Sequence, residues 1–144
     1  MSVEDTVTIR TALVSDVAAC ARLFALGQQE IEPKSPPWRE SEFSEQVLGE
    51  DILVAASEVQ VVGFLSLWRP DAFVHFLHVA RPWRRRGVGE RLLAAARREV
   101  PRPLELKCLI SNRAALSFYR HLGWQPAGAA DGVAVPYARL RQPR

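Results

Sequence analysis

The chain has 144 residues, of which 48% are hydrophobic and 24% are charged; these values are ordinary for one globular domain and exclude a disordered chain. No apolar run approaches the ~18 residues of a membrane span, and the acidic segment Met1–Asp5 lacks the apolar core of a signal peptide. Cys20 and Cys108 make neither a disulfide framework nor a four-ligand metal site. We therefore expect a reduced cytoplasmic enzyme or binding protein, with one domain over residues 1–144 and no metal.

Charge is distributed unevenly along the chain. Residues 1–60 contain four basic and eleven acidic side chains, whereas residues 61–144 contain fifteen basic and five acidic ones. The basic charge is densest from Arg81 to Arg102, where eight arginines stand against two glutamates. This asymmetry favours an anionic partner for the second half, either nucleic acid or a phosphorylated cofactor. A solvated, arginine-rich helix face is the alternative.

Local patterns divide the first half of the chain into one strand, two helices and a run of further strands. Alternating apolar residues indicate strands, spacings of three and four residues indicate helices, and proline clusters break both. The predicted elements are a strand at 7–13, a helix from Ser15 or Asp16 to about Gly27, an irregular stretch at 32–37, a polar surface helix at 38–49, and strands at 52–56, 59–68 and 72–79. The last three are apolar on both faces, which is typical of central strands.

The second half continues with alternating helices and strands. The predicted elements are a helix at 87–100, a strand at 104–110, a helix from Ser111 or Asn112 to Leu122, a short strand at Trp124 and a terminal edge strand at 133–140. Gly123 fits the position after a helix that tolerates a left-handed backbone. The resulting order, β-α-α-β-β-β-α-β-α-β-β, predicts a mixed α/β fold: one mixed sheet flanked by helices.

A basic loop at 78–89 is the most informative segment. It leads from a predicted buried strand into a helix that opens on Gly87-x-Gly89. Helix N-termini carry unpaired N–H groups and partial positive charge, glycine lets a phosphate approach the backbone, and arginines add charge-assisted hydrogen bonds. A Walker A motif is absent from the sequence, and Leu92 stands where a dinucleotide fingerprint needs its third glycine. The loop therefore predicts an anion site of another kind.

Two motifs, in order, resemble those of the GNAT superfamily of acyl-CoA-dependent N-acyltransferases. Arg84-x-x-Gly87-x-Gly89 is similar to that family's Arg/Gln-x-x-Gly-x-Gly/Ala signature. The second motif consists of Asn112, Ala115, Phe118, Tyr119, Gly123 and Trp124. Together the motifs cover roughly residues 74–126. The resemblance implies a GNAT-like sheet of roughly six or seven strands with a splayed central pair, flanked by about four helices.

The resemblance also implies roles for individual residues. Acetyl-CoA would be the co-substrate, and a primary amine of a small molecule or a protein would be the acceptor. Tyr119 would protonate the departing thiolate, and a backbone N–H near Val79 would stabilise the oxyanion. The residues implied to bind the cofactor are Leu77, His78, Val79, Arg84, Arg85, Arg86, Gly87, Val88, Gly89, Asn112, Ala115 and Phe118. Asn112 also fits a helix cap, and Tyr119 a core position.

The general base stays open at this point. Ribosomal-protein alanine acetyltransferases, a subgroup of the family, have a glutamate where this chain has Lys107. Glu105 and His78 are the candidate bases, and a water chain to solvent is the alternative. Strict alternation along the strand predicts that His75 and His78 lie on opposite faces.

The acceptor site is predicted near the proline-rich stretch. Glu30 and Glu32 would attract a cationic amine there, and Trp38 and Trp68 would line the site or fill the core. Two other functions remain open: a GNAT-fold module that binds acyl-CoA without catalysis, and a basic nucleic-acid-binding domain, although no recognisable nucleic-acid motif is present. We expect a monomer or homodimer without nucleic-acid or membrane partners.

Overall fold

A mixed β-sheet organises the fold in the computed structural model, which describes residues 6–128 and 136–144. The strands in these residues are β1 (Thr8–Thr11), β2 (Asp51–Ala56), β3 (Val61–Trp68), β4 (Phe73–Val79), β5 (Glu105–Leu109), β6 (Gln125–Pro126) and β7 (Tyr137–Arg141). The α-helices are α1 (Val17–Ile31), α2 (Phe43–Gln46), α3 (Val88–Arg98) and α4 (Arg113–His121). Within the described residues, none of these helices has the length and apolar character needed to cross a membrane.

The strand order is β1-β2-β3-β4-β5-β7-β6. Every neighbouring pair is antiparallel except β4 and β5, which run parallel. The predicted mixed sheet flanked by helices is thus confirmed. The prediction that the last strand forms an edge is wrong: β7 lies between β5 and β6, and Leu140 is buried. Residues 133–135 of the predicted strand lie outside the described residues.

β4 and β5 separate soon after they meet. Only two residue pairs join them, Phe73 with Glu105 and Val74 with Leu106. Beyond these pairs a gap opens in the middle of the sheet, which we call the seam. The splayed central pair implied by the family resemblance is present.

Helices cover both faces of the sheet. α3 and α4 pack on one face, in a core that includes the fully buried Leu92 and Leu65. α1 and α2 pack on the other, where Phe24, Phe43 and Phe64 make tilted and edge-on ring contacts at 5.3–5.7 Å. Each such buried side chain contributes about 1.5–3 kcal/mol. The seam is therefore bordered by α3 and α4 on one side and by α1 and α2 on the other.

Two helix boundaries differ from the sequence predictions. α1 passes through Gly27 and ends at Ile31, because Gly27 serves packing rather than helix termination. A Cβ at Gly27 would stand 2.2 Å from Nδ1 of His78. The predicted helix at 38–49 is reduced to α2 after one 3-10 turn, and Phe43 at its start is buried in the core.

A β-bulge changes which way the side chains of β4 point. The register between β3 and β4 shifts between Ser66 and Leu67, so His75 is an extra residue opposite this point. Oγ of Ser66 accepts the N–H of Phe76 at 3.0 Å. The rings of His75 and Phe76 stack 3.9 Å apart, and Phe76 stacks in turn with His78. His75 and His78 thus share one face, and the prediction of opposite faces is wrong because the bulge interrupts the alternation.

Candidate active site

A cavity of about 570 Å³ opens at the seam, within the usual size range of ligand pockets. β4 and β5 form its two long walls, α4 contributes Ala115 and Tyr119, and β7 contributes Tyr137. Side chains at the C-terminal end of α1 and in the stretch before α2 close the opposite side, among them Glu32 and Trp38. The cavity therefore reaches both faces of the sheet.

The backbone of β4 is available along this cavity. The N–H of Ala80 donates to the carbonyl of Val62 on β3 at 2.8 Å. Since peptide groups of an antiparallel strand alternate in direction, those of Leu77 and Val79 face away from β3 and toward the seam. An extended ligand arm can pair with them as a missing strand would.

The Arg84–Gly89 loop presents the N-terminus of α3. Gly87 is the N-cap residue with a φ of 80°, and no side chain of the described residues accepts a hydrogen bond there. A Cβ at Gly87 would meet no atom of residues 6–128 or 136–144 within 4 Å. Arg85 also has a left-handed backbone, with a φ of 63°, and such strain is concentrated at functional sites. The loop thus offers free N–H groups below open space, as a phosphate requires.

Arg84 holds this loop in place. Its Nε donates to the carbonyl of Val79 at 2.9 Å, and its two terminal nitrogens donate to the Glu30 carboxylate at 2.8 and 3.1 Å. Arg81 adds an ion pair to the same carboxylate at 3.4 Å. The hydrogen bond from Arg84 holds the pKa of Glu30 below its usual value. In this structure the Arg84 side chain therefore ties the loop to β4 and α1, and Glu30 belongs to that tie rather than to the cavity wall.

Tyr119 is buried on the wall of the cavity. Its ring contacts those of Phe118 and Trp124 at 5.1 and 5.2 Å. Among the described residues its hydroxyl has no hydrogen-bond partner. Burial, and secondarily the nearby Cys108, raises the pKa of Tyr119. The phenol stays protonated at neutral pH, so it is suited to donate a proton and unsuited to accept one.

Other residues of the second motif shape the same wall. The Asn112 side chain caps α4 by accepting the N–H of Ala115 at 3.3 Å, and it also lines the cavity. A Cβ on Gly89 would lie 3.5 Å from the Phe118 ring, which packs on that glycine. This end of the motif thus stands against the loop that opens α3. Both cysteines are free and buried, and burial raises the pKa of Cys108.

Neither base candidate from the sequence is favourably placed. Glu105 does not line the cavity and pairs with Arg139 and Arg141 at 3.6 and 3.5 Å. His78 is buried, with its Nε2 2.9 Å from Oε1 of Gln28. Burial, and secondarily the Arg84 charge, lowers the pKa of His78 to about 4, too low to take a proton from an alkylammonium effectively. Lys107 does line the cavity.

A histidine–carboxylate pair that the sequence analysis missed stands on the cavity wall. Nδ1 of His75 lies 2.7 Å from Oε2 of Glu50, and His75 lines the cavity. The Glu50 side chain is only 8% exposed, and its Oε1 is buried without a partner among the described residues. No local pattern links two residues twenty-five positions apart, so only the fold reveals this contact.

The predicted acceptor residues divide into two groups. Glu32 and Trp38 line the cavity, and Nε1 of Trp38 donates to the carbonyl of Glu32 at 2.8 Å. The ammonium of Lys34 lies 3.9 Å from the centre of the Trp38 ring, so this ring already holds one cation. Trp68 is 39% exposed and lies outside the cavity lining.

Comparisons with known proteins agree with this geometry. The model of the acetyltransferase (GNAT) family matches residues 17–124. YjaB from Escherichia coli shares 21% identity, with a TM-score of 0.70 over 94% of this chain and 95% of that one. The ribosomal-protein-alanine N-acetyltransferase from Brucella melitensis shares 24%, with a TM-score of 0.66 over 93% and 96%. YncA from Salmonella typhimurium, solved with acetyl-CoA, shares 20%, with a TM-score of 0.62 over 94% and 92%. No curated protein sequence matches the chain significantly.

Proposed function

Because the chain belongs to the GNAT acetyltransferase family, we propose that it transfers an acetyl group from acetyl-CoA to a primary amine by direct attack on the thioester. The observation that carries this proposal is the cavity at the seam. It contains Tyr119, whose hydroxyl has no hydrogen-bond partner among the described residues. Leu77 on its wall lies against the first turn of α3, 3.9 Å from where a Cβ on Gly89 would stand. A strand edge and a proton donor thus border the cavity, and the helix N-terminus suited to phosphate lies next to it.

The residues present fit acetyl-CoA. Its pyrophosphate matches the first-turn N–H groups of α3 and the open space over Gly87, with Arg85 and Arg86 as the arginines nearest the loop's left-handed backbone. Its pantetheine arm matches the seam edge of β4 at the peptide group of Leu77 and the N–H of Val79, whose carbonyl already accepts from Arg84. Asn112 and Phe118 flank the same wall. Acetyl-CoA would supply the activated acyl group, and the protein would hold its thioester close to the acceptor amine in an orientation suited to attack.

The acceptor amine enters from the α1 and α2 face in this proposal. Glu32 supplies negative charge at that mouth, and Trp38 and Tyr137 supply apolar ring surface. A neutral amine nitrogen attacks the carbonyl carbon, and an N–H on the seam edge of β4 that the pantetheine arm leaves unused stabilises the oxyanion. The Tyr119 hydroxyl then donates its proton to the departing sulfur. A cationic amine with an apolar body fits this mouth best.

The test is release of free CoA thiol from acetyl-CoA over a panel of amines that includes alkyl amines, aryl-alkyl amines, polyamines, aminoglycosides and peptide N-termini. We expect turnover with at least one member, and calorimetric binding of CoA alone. A protein that binds acetyl-CoA without turnover on any amine is a binding module, which contradicts the proposal. A protein that does not bind CoA and that binds random DNA in a salt-dependent manner is a nucleic-acid-binding domain, which also contradicts the proposal.

A further inference from the structure

We propose that His75 is the general base of the transfer and that Glu50 is the residue that positions it. The inference rests on the proposed function and assigns a role that the two base candidates from the sequence, Glu105 and His78, do not fill. It follows from a histidine–carboxylate pair on the cavity wall, at the one bulge of the β3–β4 pairing.

The contact with Glu50 determines which nitrogen of His75 can accept a proton. An ionised carboxylate only accepts hydrogen bonds, so Nδ1 of His75 must donate to Oε2 of Glu50 at 2.7 Å. In the neutral ring Nε2 then carries the lone pair. Nε2 has no partner among the described residues, and His75 lines the cavity. The basic nitrogen is thereby left for the occupant of the cavity.

The backbone and two contacts fix the His75 ring. The bulge turns His75 to the same face as Phe76. The Phe76 ring stacks on it at 3.9 Å with a 24° interplanar angle, and Glu50 bonds its Nδ1. The side chain of His75 is nevertheless 34% exposed. A ring that is held on one edge and open on the other is what proton transfer to a bound ligand needs.

The buried carboxylate of Glu50 supplies the driving force. Its Oε1 has lost water and has no hydrogen-bond partner among the described residues, an arrangement that costs free energy and that folded proteins keep rarely. An imidazolium at His75 neutralises this charge. Among the described residues, the other titratable groups on the cavity walls are Glu32, His78, Lys107, Cys108, Tyr119 and Tyr137. Glu50 and Glu32 offset the ammonium of Lys107, so the walls accommodate a positive charge at His75.

The proton balance closes. Nε2 of His75 takes one proton from the alkylammonium acceptor, and the freed lone pair forms the C–N bond as the carbonyl oxygen becomes the oxyanion. Collapse of the oxyanion re-forms the carbonyl and breaks the C–S bond. The thiolate takes the Tyr119 proton, the new amide nitrogen loses its second proton to the phenolate through water, and the imidazolium returns its proton to solvent. The sum is ammonium plus thioester to amide, thiol and one proton.

The experiment compares His75→Gln and Glu50→Gln with His121→Gln, a matched change at an exposed histidine in the last turn of α4. Acetyl-CoA affinity, melting temperature and the pH profile of kcat/KM are measured on each protein, with the amine that the panel identifies. We expect a ~10²–10⁴-fold lower kcat/KM for His75→Gln at neutral pH, with acetyl-CoA affinity retained. We expect a smaller loss for Glu50→Gln and none for His121→Gln.

The pH profile separates catalysis from structure. The deficit of His75→Gln should shrink as the pH approaches ~10, where an alkylammonium loses its proton unaided. His75→Gln could instead lower the melting temperature while its turnover and pH profile per folded molecule match those of the wild type. That result would show that His75 and Glu50 form a structural pair; it would overturn this inference and leave the proposed function intact. A wild type that binds acetyl-CoA and acetylates no amine overturns the proposed function and this inference with it.

Discussion

The imidazole of His78 lies so close to Gly27 that a Cβ on that glycine would stand 2.2 Å from Nδ1 and 2.6 Å from Cε1. This contact brings the middle of α1 down onto β4 beside the seam. It also explains why a glycine is present inside a helix, where it costs roughly 1 kcal/mol relative to alanine.

Gly27→Ala is therefore expected to destabilise the protein although alanine is the better helix former. The His78 ring is buried and bonded to Gln28, so it cannot move aside without losing that hydrogen bond. We expect a net loss of about 1–3 kcal/mol, the range for overpacking a core. Urea denaturation measures it; a variant as stable as the wild type would mean that the ring relocates freely.

His78 should make stability depend on pH in a defined window. Its pKa is lowered from 6.5 to about 4 in the folded protein, so between these values the unfolded chain binds more protons than the native one. Stability then rises with pH across the window and is lost on acidification, by about 3 kcal/mol in total. Denaturation curves from pH 4.5 to 7 should show this slope in the wild type and not in His78→Gln. An equal slope in both proteins would assign it elsewhere.

Arg84 and Glu30 should act as one unit in cofactor binding. Arg84→Ala and Glu30→Gln each remove the same tie between the loop and α1, so the double variant should bind acetyl-CoA no more weakly than Arg84→Ala alone. The exposed ion pair itself should contribute only about 0.2–1 kcal/mol to folding. Calorimetry on the four proteins of the cycle measures the coupling. Additive losses in affinity would instead assign Arg84 a direct contact with the cofactor.

Gly87→Val should impair acetyl-CoA binding more than Arg98→Ala does. Valine strains a residue with a φ of 80° and fills the space over the loop that is open in this structure. Arg98 is exposed in the last turn of α3, where the charge of the helix N-terminus has faded. A ligand at a hundredfold excess over its Kd stabilises the folded protein by about 2.7 kcal/mol, which is measured as a rise in melting temperature. With millimolar CoA this rise should persist in Arg98→Ala and vanish in folded Gly87→Val. Equal affinities would exclude this loop as the phosphate site.

Tyr119→Phe should slow acetyl transfer and leave stability and CoA affinity nearly unchanged. The hydroxyl has no partner among the described residues, so its removal breaks no hydrogen bond within them, and phenylalanine keeps the contacts with Phe118 and Trp124. The loss of a general acid corresponds to ~10²–10⁴-fold; we expect the low end, because a thiol with a pKa near 8.5 leaves readily. Normal turnover per folded molecule would remove Tyr119 from the mechanism.

Features that depend on local pattern could be predicted from the sequence, and features that depend on strand register could not. The helices around Leu92 and Leu116, the strands and the basic loop follow from spacing and from Gly87. The shift of His75 to the face of His78 requires the bulge opposite Ser66 and Leu67, which no single strand encodes.

Long-range packing accounts for the remaining differences. Gly27 resembles a helix terminator until the His78 ring is seen against it. Glu50 resembles one more acidic surface residue until its burial against His75 is known. Glu105 is a candidate base in the sequence until β7 brings Arg139 and Arg141 to its carboxylate. In each case the deciding neighbour comes from a distant part of the chain.

The seam between β4 and β5 is a sheet edge placed in the interior of a sheet. Exposed edge strands invite pairing with other chains and so promote aggregation. Here the strands continue on both sides of the gap, through β3 and β2 on one side and β7 and β6 on the other, and helices border both faces. Under the proposed function, the pantetheine arm of acetyl-CoA pairs with this edge, in the place that another chain's strand would otherwise take. The protein thereby has unpaired backbone groups that can bind a ligand, and it has them inside the sheet rather than on an exposed edge strand.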